Sequence, residues 1–164
     1  MTDFYHMSAA PLPVGTEIQG NGKDKIDSKI EDALEAHKPA DMLSRRDAVY
    51  ARPEPDFSRC GIINAGYIHR VRLNGTPQRL DLNWLQPMQK ALIKEKYRIQ
   101  YPGRFEHYPE WTDATVEACC TAYWSGKPSD SPVWECLAPS FSVEEVLSNG
   151  PVNASETKGC GAPP

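Results

Sequence analysis

The order in which hydrophobic patterns follow one another constrains this chain most: segments of period two open and close it, and segments of period 3.6 lie between. Asp3 to Ser8 is short and aromatic-rich and reads as a first strand. Ala9 to Lys23 holds Pro11, Pro13, Gly15, Gly20 and Gly22 and reads as a long loop, the kind of segment that walls a binding site. Asp24 to His37 has the clearest helical pattern. Ile26, Ile30, Ala33, Leu34 and His37 share one face, while Lys25, Asp27, Lys29, Glu31, Asp32 and Glu35 point outward. Asp24 caps its start and Pro39 prevents its continuation.

A second strand, Arg46 to Arg52, is stopped by Pro53 and Pro55. Asn64 to Leu73 then alternates, with Tyr67, His69, Val71 and Leu73 on one face. Asn74-Gly75 suits the positive φ angles of a type I′ turn, so Gln78 to Leu82 is expected to return as a hairpin partner. Helices are predicted from about Pro87 to Tyr97, burying Met88, Ala91 and Leu92, and from Asp113 to Trp124, burying Val116, Cys119, Cys120 and Tyr123. Thr112 caps the second and Gly126 ends it. Ser131 to Leu137 and Phe141 to Leu147 are the last strands, separated by Pro139. This succession is not the regular alternation of a parallel βαβ protein. It predicts one α+β domain over residues 1–148, followed by a flexible tail, 149–164, without an apolar period.

Composition narrows the class. A length of 164 residues, 40% of them apolar, suits a single core. A net charge of -4 argues against a broad electrostatic grip on nucleic acid. No stretch approaches the roughly 20 apolar residues that span a bilayer. The first residues show neither a basic region nor an apolar run, so a cytoplasmic location is expected. Five cysteines, an odd count without paired spacing, read as reduced thiols.

The familiar nucleotide and hydrolase signatures are missing: there is no G-x-G-x-x-G, no Walker loop and no G-x-S-x-G elbow. Cys119-Cys120 lacks the spacing of zinc ligands, and no metal is expected. What remains is a set of polar residues on strands. His6 follows Tyr5 in the first, Tyr50 lies in the second behind Ser44-Arg45-Arg46, and Glu135 sits between Trp134 and Cys136 in a late one. A carboxylate inside an apolar strand is costly to bury without a reason, which makes Glu135 the most informative residue. Bland alternatives stand beside these: Tyr-His as strand packing, Tyr50 as core, Glu135 on a wet edge. The Arg45/Arg46 and Arg70/Arg72 pairs read as solvated faces that could meet an anion, and His69 reads as structural. Phe105 to Trp111 reads as a hydrophobic plug rather than a lid.

Phe4-Tyr5-His6-Met7-Ser8 resembles the opening strand of diphtheria-toxin-like ADP-ribosyltransferases and the related rifampin-modifying enzymes. Leu43-Ser44-Arg45-Arg46-Asp47-Ala48-Val49-Tyr50-Ala51 is similar to their second motif. Tyr123-Trp124-Ser125-Gly126, Val133-Trp134-Glu135-Cys136-Leu137 and Val143-Glu144-Glu145-Val146 look like the end of small members of that superfamily. The resemblance implies a split, curved, mostly antiparallel two-sheet core with NAD in the cleft between the sheets. It implies cofactor contacts from Tyr5, His6, Met7, Ser44, Arg45, Tyr50 and Tyr123, with Glu135 as the catalytic residue. His6 would hold a ribose hydroxyl, Tyr50 would stack on the nicotinamide, and Glu135 would bind the nicotinamide-ribose 2′-hydroxyl and stabilise developing positive charge. ADP-ribose would pass to an unknown acceptor with release of nicotinamide. Val133 stands where the arginine-specific branch carries an acid, and the Ser-Thr-Ser motif is absent, so arginine modification is disfavoured. The second aromatic wall is left open among Tyr50, Tyr97, Tyr101 and Tyr123. The rival readings are an NAD glycohydrolase using the same residues and a non-catalytic α+β binding module.

Overall fold

The computed structural model describes residues 3–60 and 66–147. The expected tail, Asn64 and the Cys60 and Cys160 thiols lie outside what it describes. The elements run β1 (Phe4–Ser8), β2 (Glu17–Gln19), α1 (Ser28–Ala36), β3 (Val49–Ala51), β4 (Tyr67–Asn74), β5 (Gln78–Asp81), α2 (Gln86–Tyr97), α3 (Asp113–Trp124), β6 (Trp134–Ala138) and β7 (Ser140–Val146). Short 3-10 turns cover Ser58–Cys60 and Leu82–Leu85. The class is α+β, as the pattern predicts. One sheet has the order β1-β4-β7-β2 and the other β3-β6-β5, with every neighbouring pair antiparallel.

The two sheets meet at a seam between β1 and β3. Tyr5 N–H donates to the Arg52 carbonyl at 2.7 Å, and Arg52 N–H donates back to the Tyr5 carbonyl at 2.8 Å. At the far end the chain itself crosses twice. Three residues carry it from β4 of the first sheet to β5 of the second, and Pro139 alone carries it from β6 back to β7. The expected β4–β5 hairpin is therefore corrected. Gly75 does adopt a positive φ of 83°, but β4 pairs with β1 and β7 whereas β5 pairs with β6. An Asn-Gly pair fixes a local reversal and not its partner. Here Thr76 and Pro77 lengthen the connection beyond a two-residue turn.

The helices follow their sequence signals, with two corrections. α1 starts at Ser28, capped by Asp27, whose carboxylate accepts from Lys29 N–H at 2.9 Å. Asp24 instead pairs with Arg46 at 2.7 Å. Glu31, expected outward, is buried because a guanidinium meets it from the interior. The Ala9–Lys23 loop also contains a strand, β2, which closes the edge of the first sheet on β7. α3 is capped by Thr112 and stopped at Gly126, where φ is 66°.

Two apolar clusters hold these parts. Leu80 and Leu137 of the second sheet pack against Ile30, Leu34, Met88, Val116, Cys120, Tyr123 and Trp124 of the helices. Trp124 Nε1 donates to the Leu34 carbonyl at 2.9 Å and ties α3 to α1. Val49, Ala51 and Ala138 meet Val71, Phe141 and Val143 across the sheets. Each fully buried aliphatic or aromatic side chain contributes roughly 1.5–3 kcal/mol. Among the described residues no helix is long and apolar enough to cross a membrane.

Candidate active site

The seam brings the sequence-selected strands together. His6 and Met7 come from β1, Tyr50 and Ala51 from β3 and Glu135 from β6, and all line one cleft of about 410 Å³. That volume lies in the ordinary range for small-molecule sites. Arg45, just before β3, lies beneath it, and Asp24, Lys25, Ile26, Arg52, Phe57 and Leu82 complete the lining.

His6 is fixed by the seam. Its Nδ1 donates to the Tyr50 carbonyl at 2.8 Å, so the neutral ring is held as the Nδ1–H tautomer and Nε2 is left as an acceptor. The ring packs on Phe141 with centroids 4.6 Å apart. Burial pushes its pKa down, the Tyr50 carbonyl opposes that, and the neighbouring His69 and Lys25 add to it.

Glu135 anchors the opposite wall. It is 4% exposed, and Oε1 accepts from both Arg45 Nη1 and Tyr123 Oη. Oε2 accepts no hydrogen bond among the described residues. Arg45, itself 1% exposed, also donates through Nε to Glu31 at 3.1 Å, so one guanidinium serves two buried carboxylates. Burial raises the Glu135 pKa while Arg45 and Tyr123 pull it down, with the net shift upward. Burial opposes the charge of Arg45, but Glu135 and its other neighbours outweigh that and leave it firmly protonated. The expectation of solvated arginines at positions 45 and 46 is corrected for Arg45 alone. Arg46 lies nearer the surface, between Asp24 and Asp32.

Tyr50 donates its hydroxyl to the Arg45 carbonyl at 2.6 Å. The Arg45 guanidinium carbon lies 4.9 Å from its ring centroid and Lys25 Nζ lies 5.9 Å from it. The ring already recognises cations.

Three sequence-selected residues stand off the cleft. Tyr5 sits one position along β1 from His6 and contributes its main chain to the seam. Ser44 donates to Glu35 at 2.8 Å. Tyr123 is fully buried behind Glu135 and orients that carboxylate. Tyr97 and Tyr101 belong to a separate aromatic group with Phe105 and Tyr108. Lys94 pins that group's loop by donating to the carbonyls of Glu106 and Tyr108, consistent with a packed plug. His69 is buried and accepts from Leu12 N–H at 3.0 Å.

Lys25, Arg52 and Phe57 join the cleft without a signal of their own in the sequence, where Arg52 closes a strand pattern and Lys25 falls on the outer face of a helix. Among the described residues no three His, Cys, Asp or Glu side chains gather to hold a metal. Burial pushes the Cys120 and Cys136 thiols up to about 11, away from thiolate reactivity. Comparisons with family models, with curated proteins and with solved structures give no match.

Proposed function

We propose that this protein is an NAD-dependent ADP-ribosyltransferase. The observation that carries this reading is the convergence of His6, Tyr50 and Glu135, from three strands of two sheets, on one cleft at the seam. The split between the sheets and the order of these side chains along the chain agree with the resemblance described above.

The available atoms suit the roles. His6 Nε2 accepts a hydrogen bond from a ribose hydroxyl. Glu135, with Oε1 fixed by Arg45 and Tyr123, retains Oε2 for the hydroxyl next to the bond that breaks. Cleavage of the nicotinamide bond develops oxocarbenium character, and a carboxylate held in place beforehand stabilises that charge selectively. Tyr50 offers a ring face to the nicotinamide cation, worth roughly 0.5–2 kcal/mol, once the exposed Lys25 yields its place. The acceptor is a macromolecule or a small molecule, and water in that role would make the protein an NAD glycohydrolase.

A second reading is favoured by one observation. The tight hold of Arg45 on Glu135 is also what a non-catalytic binding module would use to neutralise a buried carboxylate. Incubation with NAD while following free nicotinamide separates the two. Release that is lost in Glu135→Gln supports the enzyme. A thermal shift with NAD but no release supports the module, and neither response removes NAD from the account.

A further inference from the structure

We propose that Arg52, with Lys25 across the cleft, forms a seat for a phosphate group carried by a small ligand. Arg52 is 7% exposed. Its main chain is pinned to Tyr5 by the two hydrogen bonds of the seam, and Nε donates to the Trp134 carbonyl at 3.1 Å. Phe57 lies against the guanidinium, with its ring centroid 5.7 Å from Cζ. The Nη1 end is buried and has no hydrogen-bond partner among the described residues. A buried charged donor left unpaired is strongly unfavourable.

The surrounding carboxylates are already engaged. Glu135 is held by Arg45 and Asp24 by Arg46. Asp56 senses the charge of Arg52 but accepts from Ser58 N–H at 2.9 Å. Neither Arg52 nor Lys25 forms an ion pair among the described residues. Lys25 Nζ holds only the Asn21 side chain and faces the Tyr50 ring. Two cations outside any ion pair among the described residues therefore line a cleft walled by Ile26, Leu82 and Phe57. Such walls strengthen an interaction with an anion. A phosphate fits because it accepts several charge-assisted hydrogen bonds from a fixed guanidinium and a mobile ammonium at once.

This seat does not depend on the transferase reading. The phosphate belongs either to a dinucleotide or to a separate acceptor molecule. Calorimetry and thermal unfolding of the full chain with inorganic pyrophosphate, ADP-ribose and adenosine test it. Pyrophosphate and ADP-ribose are expected to bind and to raise the unfolding midpoint, whereas adenosine is not. Affinity for pyrophosphate should fall tenfold or more in Arg52→Gln and severalfold in Lys25→Met, and be unchanged in Arg72→Gln, on an exposed position of β4. Competition between pyrophosphate and ADP-ribose assigns the seat to the dinucleotide, and additive binding assigns it to the acceptor. Should Arg52→Gln not fold by circular dichroism, Arg52→Lys and Lys25→Met decide. Wild-type affinity in both, or no binding of either phosphate compound to the wild type, overturns the proposal. Phosphate binding without nicotinamide release would sink the transferase and leave the seat standing.

Discussion

The imidazole of His6 donates from Nδ1 to the Tyr50 carbonyl at 2.8 Å, across the seam where β1 of one sheet meets β3 of the other. A side chain that lines the cleft thus also joins the two halves of the fold, and its tautomer is set by the backbone of the opposing strand. Substitution should be felt in both roles. If the transferase reading holds, His6→Ala raises KM for NAD about tenfold, the equivalent of one hydrogen bond of about 1.4 kcal/mol. Steady-state nicotinamide release measures it.

The same histidine makes stability depend on pH. Burial lowers its pKa in the folded state from the ordinary 6.5. Above 6.5 the ring is neutral in both states and its contribution is complete. As pH falls below 6.5 the unfolded chain takes up the proton first, and stability is lost until the folded-state value is passed. Between pH 7.5 and 5.5, the unfolding midpoint of the wild type should therefore fall more steeply than that of His6→Gln. The His6 ring resonance should titrate below 6.5 in proton NMR.

Arg45 neutralises Glu31 on α1 and Glu135 on β6. Arg45→Ala leaves both carboxylates buried without a counter-charge and should cost about 3–5 kcal/mol in urea unfolding. Adding Glu31→Gln to that variant should restore part of the loss. Glu135→Gln keeps the shape of the side chain and should cost only about 1 kcal/mol. If the transferase reading holds, the same variant lowers nicotinamide release by about a hundredfold or more, since its amide cannot stabilise positive charge. Full activity in Glu135→Gln would contradict the assigned role.

Gly75 turns the chain from β4 toward the second sheet at a φ of 83°. Gly75→Ala forces a side chain into that conformation and should destabilise by about 1 kcal/mol. Gly20→Ala should do more harm. A Cβ there would run into the Asp47 carbonyl, and that backbone does not yield as the end of a side chain would. Chemical denaturation of the two variants gives the ranking.

Helices were the most legible parts of the sequence. Thr112 and Gly126 mark the ends of α3 by local chemistry, and Val116, Cys119, Cys120 and Tyr123 reach the core as their spacing requires. Sheet membership was not legible. The alternation of β4 shows that His69 and Val71 face inward, yet nothing in it says that β1 and β7, rather than β5, lie alongside. Glu135 could be singled out because a carboxylate among apolar residues is conspicuous. Glu31 could not, because it looks like an ordinary surface charge until Arg45 is found buried beside it, and Arg45 is named by the resemblance alone while its residue pattern reads as a solvated face. Arg52 was hidden for a different reason, since an unpartnered donor can be recognised only when all its neighbours are known.

The two short crossings between the sheets lie against each other. A Cβ built on Gly75 would come within 3.8 Å of Pro139 Cδ, whereas Arg52 follows β3 and Glu135 lies near the start of β6, at the ends of those strands away from Pro139. Short covalent links at one end and the paired Tyr5–Arg52 hydrogen bonds at the other thus hold the two sheets as a clamp closed from both sides. Inserting a single residue beside Pro139 would slacken one of these ties without altering any side chain that lines the cleft.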